Sequence, residues 1–122
     1  MKLTKVSLNL LIRTFQYWHV DEEYREPIYN YLVHGFNPGS FFHNVFANDF
    51  IGAMTHCHTR NRVDSLRSLV GWIFDYMPRE AYGSHEKVYL WVEMPEAQRR
   101  MYLEKANLIY DHSQEMWETL KT

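Results

Sequence analysis

The stretch VDSLRSLVGWIFDYMP, residues 63–78, decides the fold class. Its apolar side chains recur every three or four residues, which is the spacing of one face of a helix rather than of a strand. They are Val63, Leu66, Leu69, Val70, Ile73, Phe74 and Met77. Pro78 ends the pattern, because proline disfavours helical backbone in the residue before it. The stretch therefore predicts an amphipathic helix packed against a core.

Two helices are predicted near the start of the chain. Residues 4–18 carry apolar side chains at helical spacing, although the aromatic and β-branched residues within 1–20 leave a strand open. Residues 21–35 predict a second helix, with Asp21 as its N-cap and Gly35 as its stop. The chain thus alternates helices with short breakers.

A third helix is predicted to start at Ser40 and to run to Met54, with a broad apolar face. Asn48 and Asp49 lie close to that face. A buried polar group without a partner costs about 1–3 kcal/mol. We therefore expect these two residues either to brace an adjacent helix end or to bond a neighbouring loop or a ligand.

The C-terminal part predicts a short helix capped by Ser84 and then a long helix over 95–120 that begins with Pro95. The long helix has a wide apolar stripe and would overhang a compact domain of this size. We expect it either to pack along its own domain or to be covered by a second copy in a homo-oligomer. The predicted oligomer interface comprises Tyr102, Ile109, Tyr110, Met116 and Trp117.

Length and composition predict a single helical domain over 1–122, an all-α compact bundle of about five to six helices. It comprises the N-terminal helix or strand (1–20), a central part (21–93) and the long C-terminal helix (95–120). The net charge of −2 argues against general nucleic-acid binding, which needs a basic face. The single cysteine, Cys57, is typical of a reducing cytoplasm, and no apolar run suits a signal peptide or a membrane span.

Two Gly-Ser pairs come nearest to a binding site. Gly39-Ser40 and Gly83-Ser84 each stand where a helix is predicted to begin. The unpaired N–H groups of a helix start attract phosphates and carboxylates, although such pairs serve equally well as plain helix starts. If they form a site, Ser40 and Ser84 should line one pocket.

The polar run His56-Cys57-His58 is a weaker candidate. Adjacent residues on a helix do not converge on one ion, so we expect a solvated loop, no metal and no cofactor. An enzyme acting on nucleotides stays an alternative, with Asp49 and one histidine as acid/base groups. The candidate histidines are His43, His56, His58 and His85. Because no second catalytic carboxylate accompanies them, we expect a protein without catalytic activity.

Four stretches of the sequence, taken in order, make up one pattern: YLVHGFNPGSFF (31–42), ANDFIGA (47–53), NR (61–62) and YGSHEKV (82–88). Together they resemble a family of small accessory proteins of tailed bacteriophages and prophages. That family has a helix ending in Gly, a Pro-Gly-x-Phe turn, an Asn-Asp-Leu element, a later Asn-Arg and an aromatic-Gly-Ser-Pro-Glu-Lys helix start. The matching residues are Pro38, Gly39, Asn48, Asp49, Ala53, Asn61, Arg62, Gly83, Ser84, Glu86 and Lys87.

The chain departs from this pattern at four positions. His58 and Thr59 stand where the family has acidic residues, Tyr82 replaces Trp, and His85 replaces Pro. The resemblance implies a phage accessory protein in the cytoplasm of the infected bacterium and names no reaction. Such proteins mostly act by binding. We therefore expect a non-enzymatic counter-defence protein that sequesters a phosphate-bearing small molecule, such as a nucleotide immune signal.

The residue types that match the pattern also suit such a ligand, because they offer helix starts for phosphate, cations, amides for a base or ribose, and an aromatic ring. The predicted ligand-binding residues are Gly39, Ser40, Asn48, Asp49, Arg60, Asn61, Arg62, Tyr82, Gly83, Ser84 and Lys87. The alternative is a protein–protein inhibitor of a host complex, such as an anti-CRISPR protein or an antagonist of transcription or replication. The nine Tyr and four Trp favour it, since these residues dominate binding hot spots.

Overall fold

The computed structural model describes residues 1–56 and 63–121, with the side chains of His56 and Val63 left out. Over those residues the chain forms eight α-helices and a 3₁₀ turn at Arg79–Ala81, and no strand. In chain order the helices are α1 (Lys5–Tyr17), α2 (Glu22–His34), α3 (Ser40–Phe46), α4 (Phe50–His56), α5 (Val63–Tyr76), α6 (His85–Glu93), α7 (Glu96–Lys105) and α8 (His112–Lys121). The all-α prediction is confirmed, and the predicted number of five to six helices is too low.

Two asparagines with left-handed backbone account for the additional helices. Asn48 (φ 63°) separates α3 from α4, where the sequence predicts one helix over 40–54. Asn107 (φ 59°) stands between α7 and α8, where the sequence predicts one helix over 95–120. Asparagine adopts this conformation more readily than most residues, because its short side chain can bond locally. Each predicted helix is therefore two short ones.

The prediction of one long C-terminal helix is wrong because the chain turns inward after α7. Leu108 and Ile109 are buried in the core. Asp111 then starts α8: the Gln114 N–H donates to Asp111 Oδ1 (2.8 Å), and the Asp111 N–H donates to Gln114 Oε1 (3.0 Å). This reciprocal pair is a capping box. Since α7 and α8 have 10 residues each, neither overhangs the domain, and that argument for an oligomer does not hold.

The centre of the core lies around Tyr31 of α2. Its ring stacks on Phe46 of α3, with centroids 4.9 Å apart. Its hydroxyl donates to the Ala81 carbonyl (2.7 Å), and its own carbonyl accepts from Trp91 Nε1 (3.0 Å). α2 therefore holds α3, the 3₁₀ turn and α6 in fixed positions, which places the candidate site described below.

A buried carboxylate joins α8 to α1 and α7. Glu115 accepts hydrogen bonds from the Thr4 hydroxyl, from Ser7 Oγ (2.8 Å) and from Arg100 Nη2 (2.8 Å). Burial raises the pKa of Glu115, but the hydrogen bonds from Thr4 and Ser7 and the Arg100 guanidinium outweigh it. The pKa therefore lies below its ordinary value, and the carboxylate is ionised at neutral pH.

Candidate functional site

A shallow cleft lies where the start of α3 meets the first turn of α6; we refer to it as the histidine cleft. Its volume is about 330 Å³, and it is lined by Asn37, Gly39, Ser40, His43, Asn44, His85 and Tyr89. The chain turns sharply before α3 at Gly39 (φ 85°), whose N–H donates to Asn37 Oδ1 (2.9 Å). His85 and Tyr89 are four residues apart on α6, so both side chains lie on the same helix face.

Aromatic rings form one wall of this cleft. The imidazoles of His43 and His85 stack with centroids 4.9 Å apart and planes at 29°, and Tyr89 meets His43 edge-on at 4.9 Å. His85 Nε2 lies 3.2 Å from Asp49 Oδ2. Because a carboxylate only accepts hydrogen bonds, Nε2 of His85 carries the proton in this pair. Asp49 thus orients the His85 ring.

His43 carries an unsatisfied polar atom into this arrangement. Its Nε2 is shielded from solvent and has no hydrogen-bond partner among the described residues. Burial, and next the charge that His85 can carry, lower the pKa of His43 below its ordinary value. His43 is therefore neutral at pH 7, and its Nε2 is a buried nitrogen without a partner among the described residues.

The first Gly-Ser pair belongs to the histidine cleft. Gly39 is the N-cap of α3, and Ser40 is its first helical residue rather than its cap. Both line the cleft, and Asp49 reaches it through His85. The Asp49 side chain is also held by α4, because its Oδ1 accepts a hydrogen bond from the Gly52 N–H (2.8 Å).

The second Gly-Ser pair forms the start of α6, as the sequence predicts. Ser84 Oγ accepts from the Lys87 N–H (3.2 Å), and the Gly83 N–H donates to the Phe46 carbonyl (2.7 Å). Lys87 Nζ donates to the Arg79 carbonyl (3.2 Å). The Gly83 bond therefore fastens the start of α6 to the end of α3, and the Lys87 ammonium fastens it to the 3₁₀ turn. Ser84 is not among the residues that line the cleft, so the structure does not place Ser40 and Ser84 in the lining of one pocket.

Two other predicted ligand residues, Tyr82 and Asn48, are not among the residues that line the cleft. Tyr82 is partly buried and packs against the core. Asn48 is exposed at the turn between α3 and α4, rather than close to the core. Arg60, Asn61 and Arg62 lie outside the described residues. Of the predicted cations, only Lys87 is therefore described, and its ammonium group bonds a carbonyl.

The structure describes some of the residues on which the metal and enzyme alternatives depend. Cys57 and His58 lie outside the described residues, as does the side chain of His56. Among the described side chains, no group of three or more His, Cys, Asp or Glu converges as a metal site. The acid/base candidates Asp49 and His85 are brought into contact.

Asn37, Asn44 and Tyr89 line the cleft although the sequence did not mark them, and His43 and His85 line it although the sequence marked them only as acid/base candidates. Tyr89 could have been found, because it stands one helical turn after His85 in a predicted helix. The contact of His43 with His85 could not, since it depends on how α3 packs against α6. Sequence patterns within one helix predict that helix alone, whereas the cleft lies between two helices.

The predicted oligomer interface divides between core and surface. Ile109 is buried, Tyr102 packs against the core, and Tyr110 is half-buried. Met116 and Trp117 project into solvent from α8. Met116 and Trp117 are therefore the most exposed of the five, and Ile109 is not available to a second chain.

Comparisons with protein-family models, with curated proteins and with solved structures find no match for this chain. The resemblance to phage accessory proteins therefore stays a prediction from its motifs. Within 1–56 and 63–121, no helix combines the length and the apolar character needed to cross a bilayer.

Proposed function

We propose that this chain is a non-enzymatic binding protein whose histidine cleft takes a small molecule carrying both a phosphate and a flat ring, such as a nucleotide. The observation that carries the proposal is that His43 Nε2 is shielded from solvent and has no hydrogen-bond partner within the described part of the chain, while the His43 ring contacts the rings of His85 and Tyr89. A protonated imidazole donates to phosphate oxygens, and the rings offer a surface on which a base can stack. The volume, about 330 Å³, is at the lower end for small-molecule sites.

The biological role follows from the phage resemblance. A protein that binds a nucleotide immune signal without converting it lowers the free concentration of that signal in proportion to the number of sites. Such a protein needs a site and an adequate affinity, and it needs no catalytic group. We propose this sequestering, counter-defence role for the chain.

Protonation should be coupled to binding. A phosphate brings negative charge next to His43, which is neutral at pH 7 because burial and the neighbouring His85 lower its pKa. Binding should therefore draw a proton onto the imidazole pair. We expect affinity for a phosphate-bearing ligand to rise as the pH falls from about 8 to about 6.

Calorimetry and native mass spectrometry against mononucleotides, cyclic nucleotides and ADP-ribose, with unphosphorylated nucleosides as controls, test the proposal. His43→Gln removes the imidazole, and His112→Gln on the exposed start of α8 is the matched control. We expect His43→Gln to weaken binding at least about tenfold, or 1.4 kcal/mol, and the control to leave it unchanged. No binding by any nucleotide up to about 1 mM would refute the proposal.

The same mixtures distinguish binding from catalysis. Product analysis after incubation should show the nucleotide unchanged. A nucleotide that is converted over many turnovers, with conversion lost in Asp49→Asn, would replace sequestration by the enzyme alternative.

A protein–protein inhibitor is the second candidate, favoured by the outer face of α4. Phe50 and Ile51 are 75% and 79% exposed, and Met54 also faces solvent. A seven-residue helix that presents three large apolar side chains to water is typical of a contact surface. A host protein retained by the wild type and by His43→Gln, but lost with Phe50→Ser/Ile51→Ser, would favour this candidate.

A further inference from the structure

An apolar groove lies between α1 and α2, and it shares no lining residue with the histidine cleft. Its volume is about 520 Å³. Leu11 and Phe15 are buried beneath it, and Leu8, Ile12 and Tyr29 are partly exposed along it. The apolar stripe of α1 is thus wider than the core requires, and one edge of the stripe is left in water.

The outer face of α8 carries a complementary feature, which we name the α8 ridge: Met116, Trp117 and Leu120. These side chains are 69%, 61% and 75% exposed. The opposite face of α8 is held to its own domain by Glu115. Lys121 borders the ridge, with its Nζ 5.6 Å from the centre of the Trp117 indole ring. The ridge therefore combines large apolar side chains with one cation.

The rim of the groove has the opposite charge. Glu22 and Glu26 stand one helical turn apart at its edge, and no ion pair among the described side chains involves either of them. Arg25 lies between them but turns inward, with its Nε on a backbone carbonyl (3.0 Å) and its guanidinium carbon 6.0 Å from the Phe15 ring centre. The carboxylates disfavour phosphate-bearing surfaces such as nucleic acid or anionic lipid.

We propose that the α8 ridge of one copy docks in the α1–α2 groove of a second copy. A groove between two helices accepts the side chains of a third helix, and each apolar Å² removed from water contributes about 25 cal/mol. Lys121 would then lie near the acidic rim. Its present partner is Glu118 at 3.2 Å, and an exposed pair of this kind contributes about 0–1 kcal/mol, so the exchange costs little.

In the proposed dimer, a two-fold axis relates the two copies. Each chain offers one ridge and one groove, so a dimer can form two identical contacts and leave no surface for further growth. This dimer differs from one that shares a long terminal helix, because α8 stays in its own domain and only its outer face is covered.

Sedimentation velocity over about 1–100 μM measures the association directly. The wild type should be dimeric at the upper end of that range. Trp117→Ser should weaken the dimer at least about thirtyfold, as expected for a central tryptophan. Phe74→Ser is the matched control, because Phe74 is an aromatic residue on α5 that is even more exposed (82%) and lies outside ridge and groove. It should leave the association unchanged.

Mixing two variants tests the pairing of ridge with groove. Trp117→Ser removes the ridge, and Ile12→Ser impairs the groove, so each variant alone should lose both contacts of its dimer. A mixed dimer keeps one contact, formed by the intact ridge of one chain and the intact groove of the other. Mixing should therefore restore association in part. Circular dichroism establishes that each variant is folded, and Glu26→Lys replaces Ile12→Ser if that variant unfolds.

Three results would overturn the proposal. They are a wild type that stays monomeric at about 100 μM, equal weakening by Trp117→Ser and Phe74→Ser, and a mixture that associates no better than either variant alone. The second result would point to nonspecific apolar contact, and the third to a ridge that packs against a surface other than the groove.

Discussion

Replacing Glu115 with glutamine tests whether one buried carboxylate holds α8 to the rest of the domain. The carboxylate accepts from Thr4 and Ser7 on one oxygen and from Arg100 on the other. Glutamine keeps the shape, loses the charge and replaces one acceptor oxygen with an NH₂ donor. That donor must face either the Arg100 guanidinium, which only donates, or the two hydroxyls.

The expected cost follows from the partners left behind. Removing one member of a buried ion pair costs about 3–5 kcal/mol, because the other charge stays desolvated. Arg100 keeps a second carboxylate, Glu104 Oε2, at 3.3 Å from its Nε, so we expect about 3 kcal/mol, at the lower end. With about 2.1 cal/mol/K of unfolding entropy per residue over 122 residues, this lowers Tm by about 12 °C.

Urea unfolding followed by tryptophan fluorescence measures the loss, and its pH dependence tests the cause. The folded-state pKa of Glu115 is lowered, so its stabilisation is complete above the ordinary value of 4.5 and is lost as the pH falls through the folded-state pKa. The difference in free energy of unfolding between wild type and Glu115→Gln should therefore become smaller as the pH falls. Glu118→Gln, on the same helix, should cost less than about 0.5 kcal/mol. The reasoning would be refuted by a similarly small loss of unfolding free energy for Glu115→Gln at neutral pH. It would also be refuted if the difference in unfolding free energy between wild type and Glu115→Gln stayed constant in acid.

Three further changes test local features. Gly35→Ala should cost about 2 kcal/mol in urea unfolding, because φ is 69° and the new Cβ would stand 2.7 Å from Arg99 Nη1. Asn107→Gly should leave Tm within about 2 °C, whereas Asn107→Leu should lower it by about 4–8 °C, because φ at this position is 59°. His43 should titrate below its ordinary pKa in NMR spectra, since partial burial and the neighbouring His85 lower that pKa, and His85→Gln should raise it.

Each of these expectations has a matched comparison. Gly39 also has a positive φ of 85°, but nothing lies within 4 Å of a Cβ built there, so Gly39→Ala isolates the backbone strain. Equal losses at Gly35 and Gly39 would mean that the Arg99 contact contributes nothing. A Leu variant at position 107 as stable as the Gly variant would contradict the left-handed turn. An ordinary pKa for His43 would mean that its ring is hydrated.

The helix ends that the sequence predicts correctly are those with a local cause. Gly35 ends α2 in the left-handed conformation, Ser84 caps α6 through its hydroxyl, and Pro78 follows the end of α5. The divisions at Asn48 and Asn107 were missed because asparagine is also tolerated inside helices, and apolar spacing continues across both positions. Tertiary packing determines where these helices divide, since Leu108 and Ile109 would not be buried in the core if the last helix were continuous.

For the last division, a local signal was present in the sequence. Asp111 and Gln114 have the spacing of a capping box, which marks a helix start in the middle of the predicted helix. The wide apolar stripe over 95–120 outweighed it in the sequence-based interpretation. Glu115 could not be recognised as buried, because its three partners come from α1 and α7 and no local pattern marks it.

The histidine cleft and the α8 ridge are separate surfaces of the molecule. The ridge and groove belong to α8, α1 and α2, whereas the cleft is built from α3, α6 and the turn before α3. Since no residue serves both, a dimer formed through ridge and groove should leave both clefts open, with one ligand per chain. Trp117→Ser should then halve the mass of the particle and leave the Kd for a nucleotide unchanged, because sites without shared partners do not couple. If ligand affinity instead falls with the dimer, the cleft is completed by the second chain, and sequestration depends on assembly.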